Sequence, residues 1–188
     1  MSTVHETIKV AAPLRAVYGQ WTRFEEFPRF MDGVDEVRQI DARRCHWRTR
    51  VGGVSREFDT EIVDQLPDER ISWRTVSGDV HQKGVVTFQR LDDLHTQVSL
   101  AMDVEPQGIV EKAGAALGML EDRVRDDLER FRRFVEDGGA ADPGWRGRLR
   151  PADSTGEPPP AAAPPPRPER PGPYPGPLPD DPSDAPHA

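Results

Sequence analysis

The hydrophobic period of the chain changes twice, and the changes mark its elements. From Thr3 to Ala11 the apolar residues Val4, Ile8 and Val10 share one parity, which predicts a first strand with Glu6 alone out of pattern. Pro13 then opens a helix at the position where a missing N–H costs nothing. Leu14, Val17, Tyr18 and Trp21 follow at i, i+3, i+4 and i+7, a single helical face. Phe24 to Met31 continues as a short second helix or turn, broken before Pro28 and ended by Asp32-Gly33.

From Val34 the period becomes two and stays so for about seventy residues. Cys45, Trp47, Thr49 and Val51 alternate with polar residues, as do Val54, Phe58, Thr60 and Ile62, and between the runs sits the hairpin dipeptide Gly52-Gly53. Closing a two-residue loop there places Trp47 opposite Phe58 on one face. On the other face Arg48 meets Glu57, His46 meets Asp59, and Arg44 meets Glu61. Apolar pairs inside and opposite charges outside both favour this register, with Arg56 the exception on the apolar parity. Leu66-Pro67-Asp68-Glu69 turns the chain into Arg70–Val76, where Ile71, Trp73 and Thr75 share a parity. Two further runs follow, around Gly84–Phe88 and from Gln97 to Val104, and read as antiparallel neighbours on short loops. After Pro106-Gln-Gly108 a long helix repeats Val110, Ala113, Leu117, Leu120, Val124, Leu128, Phe131 and Val135 at threes and fours, up to Gly138-Gly139.

The predicted class is therefore α+β: about seven antiparallel strands, two short helices after the first strand, and one long C-terminal helix. Seven strands at ~4.8 Å make a sheet more than ~30 Å wide, whereas a helix is only ~10 Å across. Such a sheet has to curl around the helix. The inward parity then supplies Trp47, Phe58, Trp73, Val86, Phe88, Leu100 and Met102, facing Leu117 of the helix. These residues suit an apolar binding cavity and suit an ordinary packed core equally well.

Composition divides the chain. Of its 20 prolines, 16 lie beyond Gly138, so residues 1–138 are expected to fold and 139–188 to form a disordered Pro-rich tail. Pro165, Pro168 and Arg170 in that tail fit a proline-ligand spacing open to a protein partner, although proline density alone generates such matches. Trp145, flanked by Arg146, Arg148 and Arg150, is its only adhesive stretch, able to dock back on the domain or to touch a partner. The folded part carries 20 Lys+Arg against 26 Asp+Glu, which argues against a nucleic-acid binder. The single Cys45 excludes a disulfide framework, and no apolar run suits a membrane span or a signal peptide. A cytoplasmic protein is expected.

Val17-Tyr18-Gly-Gln-Trp21-Thr-Arg-Phe24-Glu-Glu-Phe27-Pro28-Arg-Phe30-Met31 and the later Gly84-Val-Val-Thr-Phe88, in this order of elements, resemble the START-like helix-grip (SRPBCC) superfamily. The resemblance is strongest to its polyketide cyclase/dehydrase and coenzyme Q-binding branch, and covers about Thr3 to Asp137. It implies a hydrophobic cavity between the sheet and the long helix that takes lipids, quinones or polyketides. Members of the superfamily range from carriers to enzymes, so the resemblance leaves the ligand open.

Catalysis in such a cavity needs an inward group able to exchange a proton near a carbonyl. Arg56 and Tyr18 are the catalytic candidates, and Thr49, Thr60, Thr75 and Cys45 are further inward hydroxyls or thiols. Each also has a plain structural reading: Arg56 reaching solvent past the sheet end, Tyr18 as a core tyrosine with its hydroxyl at the rim, Cys45 as a small buried hydrophobe. The five His are scattered, and neither a metal nor a cofactor is expected. Gly114 and Gly118 are spaced as close-packing positions on the long helix. The leading expectation is a carrier of a hydrophobic small molecule, without stable membrane insertion. A polyketide cyclase or aromatase, and an interaction module with a filled core, are the alternatives.

Overall fold

The computed structural model describes residues 2–105, 113–139 and 144–151, leaving aside the side chains of Ser2 and of residues 113–117. Strand β1 (Ser2–Val10) leads into helix α1 (Leu14–Trp21) and a short 3-10 helix (Phe24–Arg29). A meander follows: β2 (Val34–Gln39), β3 (Arg44–Val51), β4 (Val54–Leu66), β5 (Arg70–Gly78), β6 (Gln82–Asp92) and β7 (His95–Val104). Helix α2 (Ala113–Phe134) ends in one wider turn, Val135–Gly139. All seven strands form one antiparallel sheet in the order β1-β7-β6-β5-β4-β3-β2, the α+β architecture that the patterning predicts and the helix-grip fold that the resemblance implies. One local difference concerns Pro28: it lies inside the 3-10 helix and does not break the segment before it.

The β3–β4 register is the one expected, with Trp47 opposite Phe58, His46 opposite Asp59 and Arg44 opposite Glu61. Gly52 and Gly53 take φ of 58° and 80°, the positive values that a primed hairpin turn demands. The convex face shares its ion pairs among four strands. His46 bonds Asp59 at 2.7 Å, but Arg48 turns to Glu36 of β2 at 2.6 Å and Glu61 to Arg74 of β5 at 3.0 Å. Glu36 and Glu61 are thus each claimed by a guanidinium of a neighbouring strand, and Asp59 by an imidazole. The curl comes from irregularity in β4, whose pairing with β5 shifts between Asp59 and Thr60 and again between Ile62 and Asp64. Bulges of this kind bend a strand and raise its twist. Glu6, out of pattern on the concave side of β1, is answered by Arg125 of α2 at 2.7 Å.

One end of the curled sheet is closed by aromatic rings. Trp21 sits edge-to-face with Phe131 of α2 (4.9 Å between centroids), Phe27 (5.6 Å) and Phe88 (6.0 Å). Tyr18 is 0% exposed and makes a T-shaped contact with Phe88. Its hydroxyl accepts a hydrogen bond from Gln65 Nε2 at 3.0 Å. Burial pushes the phenol's pKa up, so it holds its proton.

Residues 144–151, which composition assigns to the tail, are packed on this closed end. Gln65 and Leu149 exchange two backbone hydrogen bonds, of 2.8 and 2.9 Å, as a single antiparallel bridge on β4. Arg146 lies over the Tyr18 ring and pairs with Asp68, the Trp145 N–H donates to Thr22 Oγ1, and Leu149 packs on the core. The folded part thus extends past 138. The reason is that a strand end beyond the reach of β3 leaves backbone groups that require partners, and residues 144–151 supply them at Gln65. Pro165, Pro168 and Arg170 lie outside the described residues.

A chain truncated after Pro151 is expected to melt with the full chain. Truncation after Pro143 removes this strap and is expected to cost about 2 kcal/mol, or roughly 5–10 °C in Tm. Thermal unfolding followed by circular dichroism of the two truncations checks this.

Candidate functional site

Away from the aromatic plug the concave face is hollow. A cavity of about 260 Å³ lies between β3, β4, β5, β7 and α2, and at the hairpin end it reaches Val51, which is 47% exposed. Its floor is the Trp47–Phe58 pair, stacked with ring planes 3° apart and centroids at 6.0 Å. Trp47 tolerates an apolar site because its indole N–H donates to Thr60 Oγ1 at 2.8 Å. Trp73 enters the wall opposite Gly84, where a Cβ would stand 2.5 Å from the indole Cζ2. Glycine at 84 makes room for that ring, and Met102 follows on the next strand.

Of the residues expected to line a pocket, Trp47, Phe58, Trp73, Leu100 and Met102 do so. Val86 and Phe88 do not. They share the inward parity but sit farther along β6, at the closed end, where the Tyr18 and Trp21 rings cover Phe88 and Val86 is fully buried. The Leu117 side chain lies outside the described residues. The two catalytic candidates are kept apart. Arg56 lines the cavity, whereas Tyr18 points into the closed end against Gln65. Thr49 and Thr60 are on the wall and Thr75 is not; its hydroxyl accepts the Gln82 N–H at 3.1 Å.

Sequence reasoning missed a polar corner at the mouth, made by the Asp32-Gly33 turn and α2. Asp127 Oδ1 accepts the Asp32 N–H at 2.9 Å and a guanidinium hydrogen bond from Arg130 at 2.7 Å. Arg123 donates to the Asp32 carbonyl. Burial pushes the Asp127 carboxyl above the usual range, against the lowering effect of those hydrogen bonds and of Arg130 and Arg123. The available signal was periodic: Arg123 and Asp127 fall beside Val124 and Leu128 at i and i+4 on α2, next to its buried stripe. Cys45 lines the inner wall at 2% exposure, and burial, helped by Asp41 and Glu25, pushes its thiol up to about 12. Among the described residues no group of His, Cys, Asp and Glu is arranged to hold a metal ion, and no helix is long and apolar enough to cross a membrane.

A family model described as polyketide cyclase/dehydrase and lipid transport matches residues 10–133. An uncharacterized 17.2 kDa protein of Streptomyces lincolnensis is 50% identical over 149 residues, which are 79% of this chain and 99% of that protein. Since 79% of this chain is more than residues 1–138 can hold, the match runs into the strap. Among solved structures, the Zhui aromatase/cyclase of Streptomyces sp. R1128 superposes with a TM-score of 0.62 at 20% identity, over 76% of this chain and 98% of that one. A START superfamily protein of Mycobacterium smegmatis gives 0.60 at 18%, over 73% and 96%. Likeness at that level of identity establishes a shared fold.

Burial and its high pKa should leave Cys45 inert in the native state. At pH 8 an aromatic disulfide reagent is expected to label it only as fast as the protein unfolds, with immediate labelling in denaturant. Rapid stoichiometric labelling of folded protein would contradict the placement of this thiol.

Proposed function

The chain belongs to the polyketide cyclase/dehydrase and lipid transport family, and from that premise we propose that it binds and carries a hydrophobic small molecule in the cavity between the curled sheet and α2. The observation that carries this reading is the hollow itself: a space of about 260 Å³ floored by a stacked Trp47–Phe58 pair and walled by Trp73, Leu100 and Met102. Apolar rings that face a void lose dispersion partners, and a ligand restores them. Lipids, quinones and polyketides all offer such a body. The packed-core alternative is disfavoured by the same space.

A cyclase or aromatase reading has one observation of its own. Arg56 and Asp127 share the cavity wall, and a carboxyl pushed up by burial keeps a proton to donate at higher pH than an ordinary aspartate. The expected Arg56–Tyr18 partnership gives no such support, since Tyr18 faces the closed end. If the protein acts on a reactive poly-β-keto substrate, Asp127→Asn changes the product pattern relative to spontaneous cyclisation. An unchanged pattern leaves the carrier reading standing alone.

Native mass spectrometry of the purified chain, before and after exposure to a short-chain quinone, a monoacyl lipid and an aromatic polyketide, is expected to show saturable one-to-one uptake of at least one of them. Trp47→Ala, folded by circular dichroism, should weaken that uptake about tenfold, equivalent to about 1.4 kcal/mol. Ligand-free protein throughout, with no uptake of any of the three, would sink the proposal.

A further inference from the structure

We propose that Arg56 anchors the head group of the cavity's ligand, and that this ligand is a small amphiphile with an apolar body and one oxyanion head. The inference rests on the carrier reading above and adds the chemistry of what is carried.

The concave face of the β3–β4 arm runs from the inside outwards through the pairs Cys45/Thr60, Trp47/Phe58, Thr49/Arg56 and Val51/Val54. A guanidinium is thus set into an otherwise apolar track, one pair beyond the aromatic floor. The other charged residues of the cavity wall meet at the polar corner, where Arg123 bonds the backbone carbonyl of Asp32 and Asp127 takes Arg130 and the backbone N–H of Asp32. Arg56 has no side-chain hydrogen bond or ion pair among the described residues. Its sequence neighbour Glu57 projects from the opposite face, as do Asp59 and Glu61, so the carboxylates of its own strand are turned away from it. Five N–H donors in a fixed planar fork, on the wall of an apolar cavity, match a carboxylate or phosphate.

The spacing suits one molecule bridging both features. Alternate residues of a strand are ~6.6 Å apart, so a head at Arg56 places the next few atoms of the ligand over the Trp47–Phe58 floor and the following ones against Leu100 and Met102. The volume limits the body. At about 260 Å³ the cavity falls just below the ~300–1,000 Å³ of drug-sized sites, which fits a single medium-length chain or one to two rings and disfavours a bulky diacyl lipid.

The test uses the full chain and four probes with the same ten-carbon tail: undecanoate, decyl phosphate, decanol and decylammonium, titrated against the tryptophan fluorescence of the chain, to which Trp47 and Trp73 contribute. The expected order places one or both oxyanions at least about tenfold tighter than decanol, with decylammonium weakest. Arg56→Gln should remove that preference while decanol affinity stays within about twofold, and Arg56→Lys should keep part of it as a point charge without the fork. The two anionic arms separate a carboxylate ligand from a phosphate one. Equal binding of decanol and the oxyanions by the unaltered chain, or an anion preference that survives Arg56→Gln, overturns the assignment of Arg56 and leaves the carrier reading intact. Failure of all four probes to bind overturns the amphiphile assignment, and the carrier reading falls with it only where the quinone, monoacyl lipid and polyketide are refused as well.

Discussion

The structure depends on how Trp21 is held. Its ring meets Phe131 of α2, Phe27 of the 3-10 helix and Phe88 of β6 in edge-to-face contacts, so one side chain ties together the three layers that a curled sheet would otherwise leave apart. Such pairs contribute about 0.5–1.5 kcal/mol each beyond their buried area, but their larger effect is positional. With α1 and α2 fixed to the same end of the sheet, that end is full and the other is not. Phe27 then passes the contact on to Trp47, at 5.7 Å, so the floor of the cavity is a continuation of the plug.

Closing one end created a second requirement. β4 outruns β3, and its terminal residues carry backbone groups and a buried glutamine that need partners. Tyr18 answers the Gln65 side chain, and Leu149 answers its backbone. Arg146, on the Tyr18 ring and beside Asp68, holds the strap at its other end. The match to the 50% identical relative covers a length that includes these residues.

Much of this was legible from residue order. The alternation of β3 and β4 around Gly52-Gly53 specified a register to the residue, because apolar and charged faces independently demand the same one. The concave lining followed from parity for Trp47, Phe58, Trp73, Leu100 and Met102. Parity has no knowledge of distance along the strand, however. Val86 and Phe88 obey the same rule and are core, since what decides between wall and core is how far α1 reaches across the sheet. Arg123 and Asp127 escaped notice for a related reason: on a helix whose charges are mostly solvated, only the Asp32-Gly33 turn packed against it distinguishes two of them. The strap falls on the tail side of the compositional boundary because 16 of the 20 prolines lie beyond Gly138, although it holds only Pro151 itself, and its fastenings (hydrogen bonds at Gln65, Thr22 and Arg43 and the Arg146–Asp68 ion pair) leave no period to detect.

The hollow has an energetic consequence. At about 24 cal/mol per Å³, the value for cavities cut into packed cores, 260 Å³ corresponds to roughly 6 kcal/mol. That is as large as the whole stability of many domains. The figure is an upper bound, because the mouth at Val51 admits water to part of the space. Even a fraction of it would favour collapse, and several features oppose collapse. The bulges of β4 impose the curvature, Glu6–Arg125 spaces α2 from β1, and the Asp32–Asp127–Arg130 corner ties α2 to the turn before β2. The helix is thereby fixed at both edges of the sheet and bridges the space between them. A ligand entering such a frame recovers contacts without having to order it, and preorganisation of that kind turns a destabilising void into binding affinity.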